Sequence, residues 1–148
     1  MTDYIIQVIS AIVGSVGFAL IFHVKRDKIP YIILGSGLGT VVYLFFDFYT
    51  QNVFLSNMLA AVFCTASAEF LARWRKAPAT LFLIMHIIPL VSGRSLFYTM
   101  RSFILNDRPA FASYAMSTFY TAAGIAVGIL LVTSCISILN SYKQVEHR

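Results

Sequence analysis

Long apolar runs separated by short basic clusters dominate this sequence. The first run covers residues 4–24 and ends at Lys25-Arg26-Asp27-Lys28, and another covers 53–72 and ends at Arg73-Trp74-Arg75-Lys76. Each of these runs has about the 20 residues that a helix needs to cross a bilayer. Hydrophobic residues make up 59% of the chain and charged residues only 11%, against about a quarter charged in soluble domains. We therefore expect an integral membrane protein and exclude a soluble enzyme.

The runs predict an all-α, polytopic membrane protein with a single transmembrane domain over residues 1–148. About five spans are expected, at residues 4–24, 29–46, 53–72, 77–105 and 110–140. The long apolar runs do not alternate as the strands of a membrane β-barrel do. The fourth span should be a discontinuous helix broken near Pro89 to Gly93, because the apolar run before the break is too short to cross. The fifth is longer than one bilayer requires.

The positions of Lys and Arg predict the orientation in the membrane. Basic clusters follow the first and third runs and occur in the C-terminal tail, whereas the turn at residues 47–52 contains no Lys or Arg. Since cytoplasmic loops carry the excess of basic residues, we expect an inner-membrane protein with its N-terminus outside and its C-terminus inside. The net charge of +5 then reflects topology in a lipid bilayer, and no nucleic-acid partner is expected.

The segment around the break contains the clearest candidate for a binding site. Pro89 removes a backbone hydrogen bond, Gly93 permits a turn, and Ser92, Arg94 and Ser95 place donors at the start of the next half-helix. Unwound backbone within a membrane is tolerated where it is buried in protein or lines a wet cavity, and a helix N-terminus favours a carboxylate. We expect an anion site here. The alternative is an outer loop whose arginine reaches lipid phosphates.

Four other ionisable residues are candidates, because charge within a bilayer is expensive and often functional. Arg101, seven residues after the arginine of the break, either lines the same site or faces external water. Glu69 either pairs with Arg73 one turn later or takes part in a proton relay. His86 either exchanges a proton or is a buried histidine bonded to a neighbour. Asp47 belongs to the same relay or marks a solvated helix end.

Two glycine pairs have a spacing that lets helices approach closely. Gly35 with Gly39, and Gly124 with Gly128, form G-x-x-x-G patterns. We favour packing within one subunit over a contact between copies in a homo-oligomer. The sequence contains no Cys-x-x-Cys and no His-Glu-x-x-His motif, so no catalytic residue, metal or cofactor is expected.

Several short segments, taken in chain order, match those of a known family. They are Lys28-Ile29-Pro30 with Gly35 to Gly39, Ala68 to Arg73 with Pro78-Ala79-Thr80, Ile88 to Gly93, and Phe97 to Met100. In this order they resemble the threonine/serine exporter family, and the chain is similar to the short, all-membrane subunit of its split form. The family's loop usually reads Pro-Leu-Val-Pro-Gly followed by small residues. Here Ser92 replaces the second proline, and the added Arg94 would favour a second carboxylate.

The resemblance implies a subunit of a secondary transporter. Its substrates would be small amino acids such as threonine and serine, or small carboxylates such as dicarboxylates, and its partner would be a larger membrane subunit with a cytosolic portion. Tyr98, in the last matching segment, joins the residues of the break along the expected transport pathway. Two other functions stay open: a non-transporting assembly subunit that stabilises the larger partner, and an anion channel.

Overall fold

The chain folds into helices joined by short turns. The computed structural model describes residues 2–91 and 93–146. Its α-helices are α1 (Thr2–Ile21), α2 (Ile29–Thr50), α3 (Val53–Arg75), α4 (Ala79–Ile87), α5 (Gly93–Ile104) and α6 (Arg108–Glu146). Short 3-10 turns, Arg26–Lys28 and Ile88–Leu90, precede α2 and α5. These residues contain no strand, which confirms the predicted all-α fold.

Three helical segments are long and apolar enough to cross a bilayer, by length and composition. They are Arg26–Thr50, Val53–Arg75 and Arg108–Ile138. A fourth span would be the pair Ala79–Leu90 and Gly93–Ile104, whose axes are bent by 53°. The apolar part of α1, Ile5–Ile21, is shorter. The polytopic membrane fold is therefore confirmed, while the count of five spans stays a prediction.

The discontinuity lies where the sequence predicts it. α4 ends at Ile87, the 3-10 turn contains Pro89, and Val91 is extended with φ −65° and ψ 118°. The amide of Gly93 donates to the Val91 carbonyl at 2.8 Å, and α5 starts there. No described glycine has a positive φ, so the break does not use the left-handed conformation that glycine allows. The change of direction begins earlier, at the proline-containing turn and the extended Val91.

Tight reversals make neighbouring helices antiparallel. Gln51 and Lys76, with φ of 47° each, occupy the left-handed conformation directly after α2 and α3, and Asn106, with φ of 56°, does so two residues after the end of α5. The amides of Gln51 and Lys76 donate to carbonyls four residues earlier, on Asp47 and Ala72. This pattern satisfies carbonyls that would otherwise lack partners at a helix C-terminus.

α3 is the central helix, and it packs against α2, α4 and α6. Its contact with α6 is close because glycines replace larger side chains there. A Cβ built on Gly124 would lie 2.6 Å from the Phe54 carbonyl oxygen, and one built on Gly128 would lie 2.6 Å from that of Met58. On α2, Gly35 faces the His86 ring and Gly39 faces the Cys64 sulfur. All four glycines therefore pack against other helices of the same chain.

The outer surface of the bundle is apolar. Large side chains such as Phe45, Phe48, Phe119 and Leu130 are exposed, whereas many buried positions hold small residues such as Ala60. A helix that is apolar on its outward face as well as its inward face is typical of a membrane span. This surface suits contact with lipid tails.

Candidate functional site

A large cavity lies beside the helix break. Its volume is about 890 Å³, and its wall includes Pro89, Gly93, Arg94 and Ser95. Segments from α1, α2, α3 and α6 close it on the other sides. The polar residues among its lining are Gln7, Ser10, Thr40, Tyr43, Asn57, Arg94, Ser95, Ser117 and Thr121. The structure thus brings four of the predicted site residues together around one space.

Arg94 gives the cavity its charge. It is the only charged residue among the described residues that line the space, and no acidic residue accompanies it there. It stands in the first turn of α5, where the partial positive charge of a helix N-terminus adds to that of the guanidinium. The cavity is therefore electropositive at the break, as an anion site requires.

Hydroxyl contacts hold the start of α5 against α6. The Ser95 hydroxyl lies 3.4 Å from that of Ser117, and the Thr99 hydroxyl donates to the Ser95 carbonyl at 2.7 Å and lies 3.5 Å from the Thr118 hydroxyl. One turn further along the helix, the ring of Tyr98 stacks on Tyr114 with centroids 5.2 Å apart and planes at 24°. These contacts hold α5 against α6 beside the cavity.

Two of the described residues expected along the pathway, Tyr98 and Arg101, do not line the cavity. Tyr98 packs against α6 instead of lining the space. Arg101 is exposed in the last turn of α5, about 10 Å along the helix from Arg94. Ser92 lies outside the described residues. Of the two arginines on α5, the structure therefore places Arg94 in the cavity wall and not Arg101, for which the sequence left two alternatives open.

The remaining ionisable candidates lie apart from the cavity. His86 is fully buried, its Nδ1 lies 3.3 Å from the Ser67 hydroxyl, and its Nε2 has no partner. Glu69 and Arg73 line a separate groove of about 480 Å³ between α3 and α6. Asp47 is half-buried near the end of α2. None of these residues lines the cavity at the break.

The sequence analysis did not identify the polar residues that line the cavity from α1, α2, α3 and α6. The most informative is Asn57, which is only 2% exposed in the second turn of α3. Its Nδ2 donates to the Val53 carbonyl at 2.7 Å, whereas its Oδ1 has no hydrogen-bond partner. An amide within an apolar run is itself a signal, because polar groups in a membrane are costly unless they pair or bind something.

The described residues contain no cluster of three or more His, Cys, Asp and Glu side chains that could hold a metal ion. The lining of the cavity also lacks a thiol, an imidazole and a carboxylate. Its chemistry is that of hydroxyls, amides and one guanidinium, which bind small polar molecules by hydrogen bonds and charge.

Comparison with known proteins agrees with this description. The family model described as "Threonine/Serine exporter, ThrE" matches residues 7–135, a range that includes the break and every polar residue of the cavity wall. No solved structure matches the chain. Because the match covers most of the sequence, the chain belongs to the threonine/serine exporter family, a family of membrane transporters.

Proposed function

We propose that this chain is the short subunit of a secondary transporter that exports a small amino acid, and that the carboxylate of the substrate binds Arg94 in the cavity at the break. The observation that carries the proposal is a cavity of about 890 Å³ with a single, positive charged residue in its wall. Small-molecule sites have volumes of roughly 300–1,000 Å³. The space accommodates an amino acid together with water.

Arginine suits this task better than lysine. A planar guanidinium holds a carboxylate through two parallel N–H bonds, which fixes the orientation of the substrate as well as its charge. The Gly93 amide is already bonded to Val91, so the side chain of Arg94 and the helix dipole, rather than that N–H, supply the binding. The resemblance alone suggested that Arg94 would favour a second carboxylate, but Arg94 is the single cation among the described lining residues. One cation pairs with one carboxylate, which supports an amino acid over a dicarboxylate.

From the distribution of basic residues, we further propose that the N-terminus lies outside the inner membrane.

We also propose that a larger subunit of the same family covers α5. Arg94 and Arg101 are both exposed on α5, although an arginine facing lipid within a bilayer is costly. A protein neighbour would remove that cost. A second copy of this chain would do the same, and the test below separates these partners.

The test is efflux from loaded vesicles that contain this chain, with and without the larger subunit. Arg94→Lys and Arg94→Ala should raise the half-saturating concentration by roughly ten- to a hundredfold, since a charge-assisted bond contributes about 1.5–3 kcal/mol. Arg101→Lys is the matched control on the same helix, and it should export normally. Membrane abundance is measured for each variant.

Three results would contradict parts of this proposal. Normal efflux by both Arg94 variants would contradict the binding role of Arg94 and would favour the alternative function, a non-transporting subunit that stabilises the larger partner. Flux that ignores the proton gradient would indicate an anion channel. Full efflux by this chain without the larger subunit would indicate that the chain acts alone or as a homo-oligomer.

A further inference from the structure

Two buried side-chain atoms in the described part of the chain lack a hydrogen-bond partner, namely Asn57 Oδ1 and His86 Nε2. Buried polar atoms in native structures are almost always paired, so each exception calls for an explanation. His86 lies outside the cavity at the break, whereas Asn57 is part of its wall. An unpaired acceptor beside a space of ligand size is explained if the ligand brings the donor.

The orientation of the Asn57 amide follows from its other contact. Its Nδ2 lies 2.7 Å from the Val53 carbonyl oxygen, which can only accept a hydrogen bond. Turning the amide by 180° would place two acceptor oxygens against each other at that distance. The NH₂ group is therefore committed to the helix backbone, and the oxygen is left for another donor.

Neighbouring hydroxyls of the cavity wall are already committed as donors. Thr40 donates to the Ser36 carbonyl at 2.9 Å, and Thr121 donates to the Ser117 carbonyl at 3.0 Å. The Asn57 side chain is also held in place from α6, because a Cβ built on Gly124 would lie 3.3 Å from the Asn57 Cβ. The Asn57 oxygen is thus fixed in position, and the hydroxyls of Thr40 and Thr121 do not donate a hydrogen bond to it.

We propose that Asn57 Oδ1 accepts a hydrogen bond from the ammonium group of the substrate whose carboxylate is held by Arg94. This inference rests on the proposed function and assigns the second end of the same site. An amino acid presents a carboxylate and a donor together, which matches the guanidinium and the unpaired amide oxygen of two residues that line one cavity. A dicarboxylate offers only acceptors at neutral pH, so Asn57 makes the site selective against it.

The experiment compares two substrates in the same vesicles, which contain the chain together with its larger partner. Efflux of L-serine and of succinate is measured for the unmodified protein and for Asn57→Leu, which keeps a branched side chain of four heavy atoms but removes both the acceptor oxygen and the NH₂ group that donates to Val53. The half-saturating concentration for L-serine should rise about tenfold or more, as loss of a charge-assisted hydrogen bond predicts, while that for succinate should be unchanged or lower. Their ratio does not depend on how much folded protein is present.

Thr65→Val is the matched control. Thr65 is also buried in α3 and donates to the carbonyl four residues earlier, at 2.7 Å, but it does not line the cavity. For Thr65→Val, the half-saturating concentration for L-serine divided by that for succinate should equal the value for the unmodified protein. If Asn57→Leu does not reach the membrane, Asn57→Ala replaces it as the test variant, because it also removes the acceptor oxygen.

The chemical group bound by Asn57 is identified with two further substrates. L-alanine has the ammonium group without a side-chain hydroxyl, and L-lactate has the hydroxyl without the ammonium. Sensitivity of L-alanine efflux to Asn57→Leu supports the inference, and sensitivity of L-lactate alone overturns it. The inference is also overturned if Asn57→Leu leaves the ratio of the half-saturating concentrations for L-serine and succinate unchanged. If Arg94→Ala still raises the half-saturating concentration in that case, the proposed function stands without the role of Asn57; if Arg94→Ala exports normally, the proposed function itself fails.

Discussion

The contact between α3 and α6 allows a quantitative prediction for Gly128→Ala. A Cβ at this position would lie 2.6 Å from the Met58 carbonyl oxygen and 2.8 Å from the Ala61 Cβ, where ordinary contacts begin at 3.4 Å. Backbone atoms cannot rotate away as a flexible side chain can. α6 would have to withdraw from α3 by about 0.8 Å, and a gap of that size forfeits a quarter to a half of the dispersion energy of the atoms facing it.

We expect Gly128→Ala to lower the free energy of unfolding by about 1–3 kcal/mol, the usual cost of overpacking. Gly124→Ala should act similarly, since its Cβ would also lie 2.6 Å from a carbonyl oxygen. One withdrawal of α6 relieves both clashes, so the double variant should lose less stability than the two single variants added together.

The assay is thermal unfolding of the detergent-purified protein with its partner. Gly17→Ala is the control, because no atom lies within 4 Å of the Cβ that it would add. That variant should unfold at the temperature of the unmodified protein or slightly higher, since alanine favours a helix more than glycine does. Equal midpoints for Gly128→Ala and Gly17→Ala would refute the reasoning from close helix contact.

Two further predictions concern the break and the orientation. Gly93→Ala should leave abundance and efflux unchanged, because Gly93 does not have a positive φ and its added Cβ would meet no atom within 4 Å; a loss of folding measured by membrane abundance would contradict this. Cysteines placed at Gln51 and Lys143 in a Cys-free background should react with an impermeant label from opposite sides of the membrane, as the distribution of basic residues predicts. Labelling of both from one side would exclude the predicted orientation.

Local features of the fold were predictable because their causes are local. A proline within a short apolar run predicts a broken helix, and the break is observed directly after Ile87. Basic clusters predict the end of a span, and α3 ends at Arg75. No described glycine of the break has a positive φ, and a sequence does not show which residue of a Pro-to-Gly segment changes the backbone direction.

The cavity was only partly predictable. Arg94 and Ser95 belong to one contiguous segment whose composition is unusual for a membrane span. Asn57 and Thr121 reach the same space from α3 and α6, and their meeting depends on how those two helices pack. Glycine spacing indicates that a helix can approach another closely, but not which helix it approaches. The cavity-lining residues on helices distant in sequence therefore cannot be identified without the three-dimensional structure.

The position of the cavity has a consequence for the transport cycle. On α2 its wall ends at Thr40, and toward the basic end of that helix Ile32 packs into a buried apolar layer with Phe82 and Met85. From Thr40 to Ile32 is eight residues, or about 12 Å along the helix. Under the proposed function, a substrate at Arg94 has this layer between it and the basic face, so export would require the layer to part. The proposed cycle then needs a second conformation in which this layer is open, and a substitution that locks Phe82 against α2 should stop transport without altering any group proposed to touch the substrate.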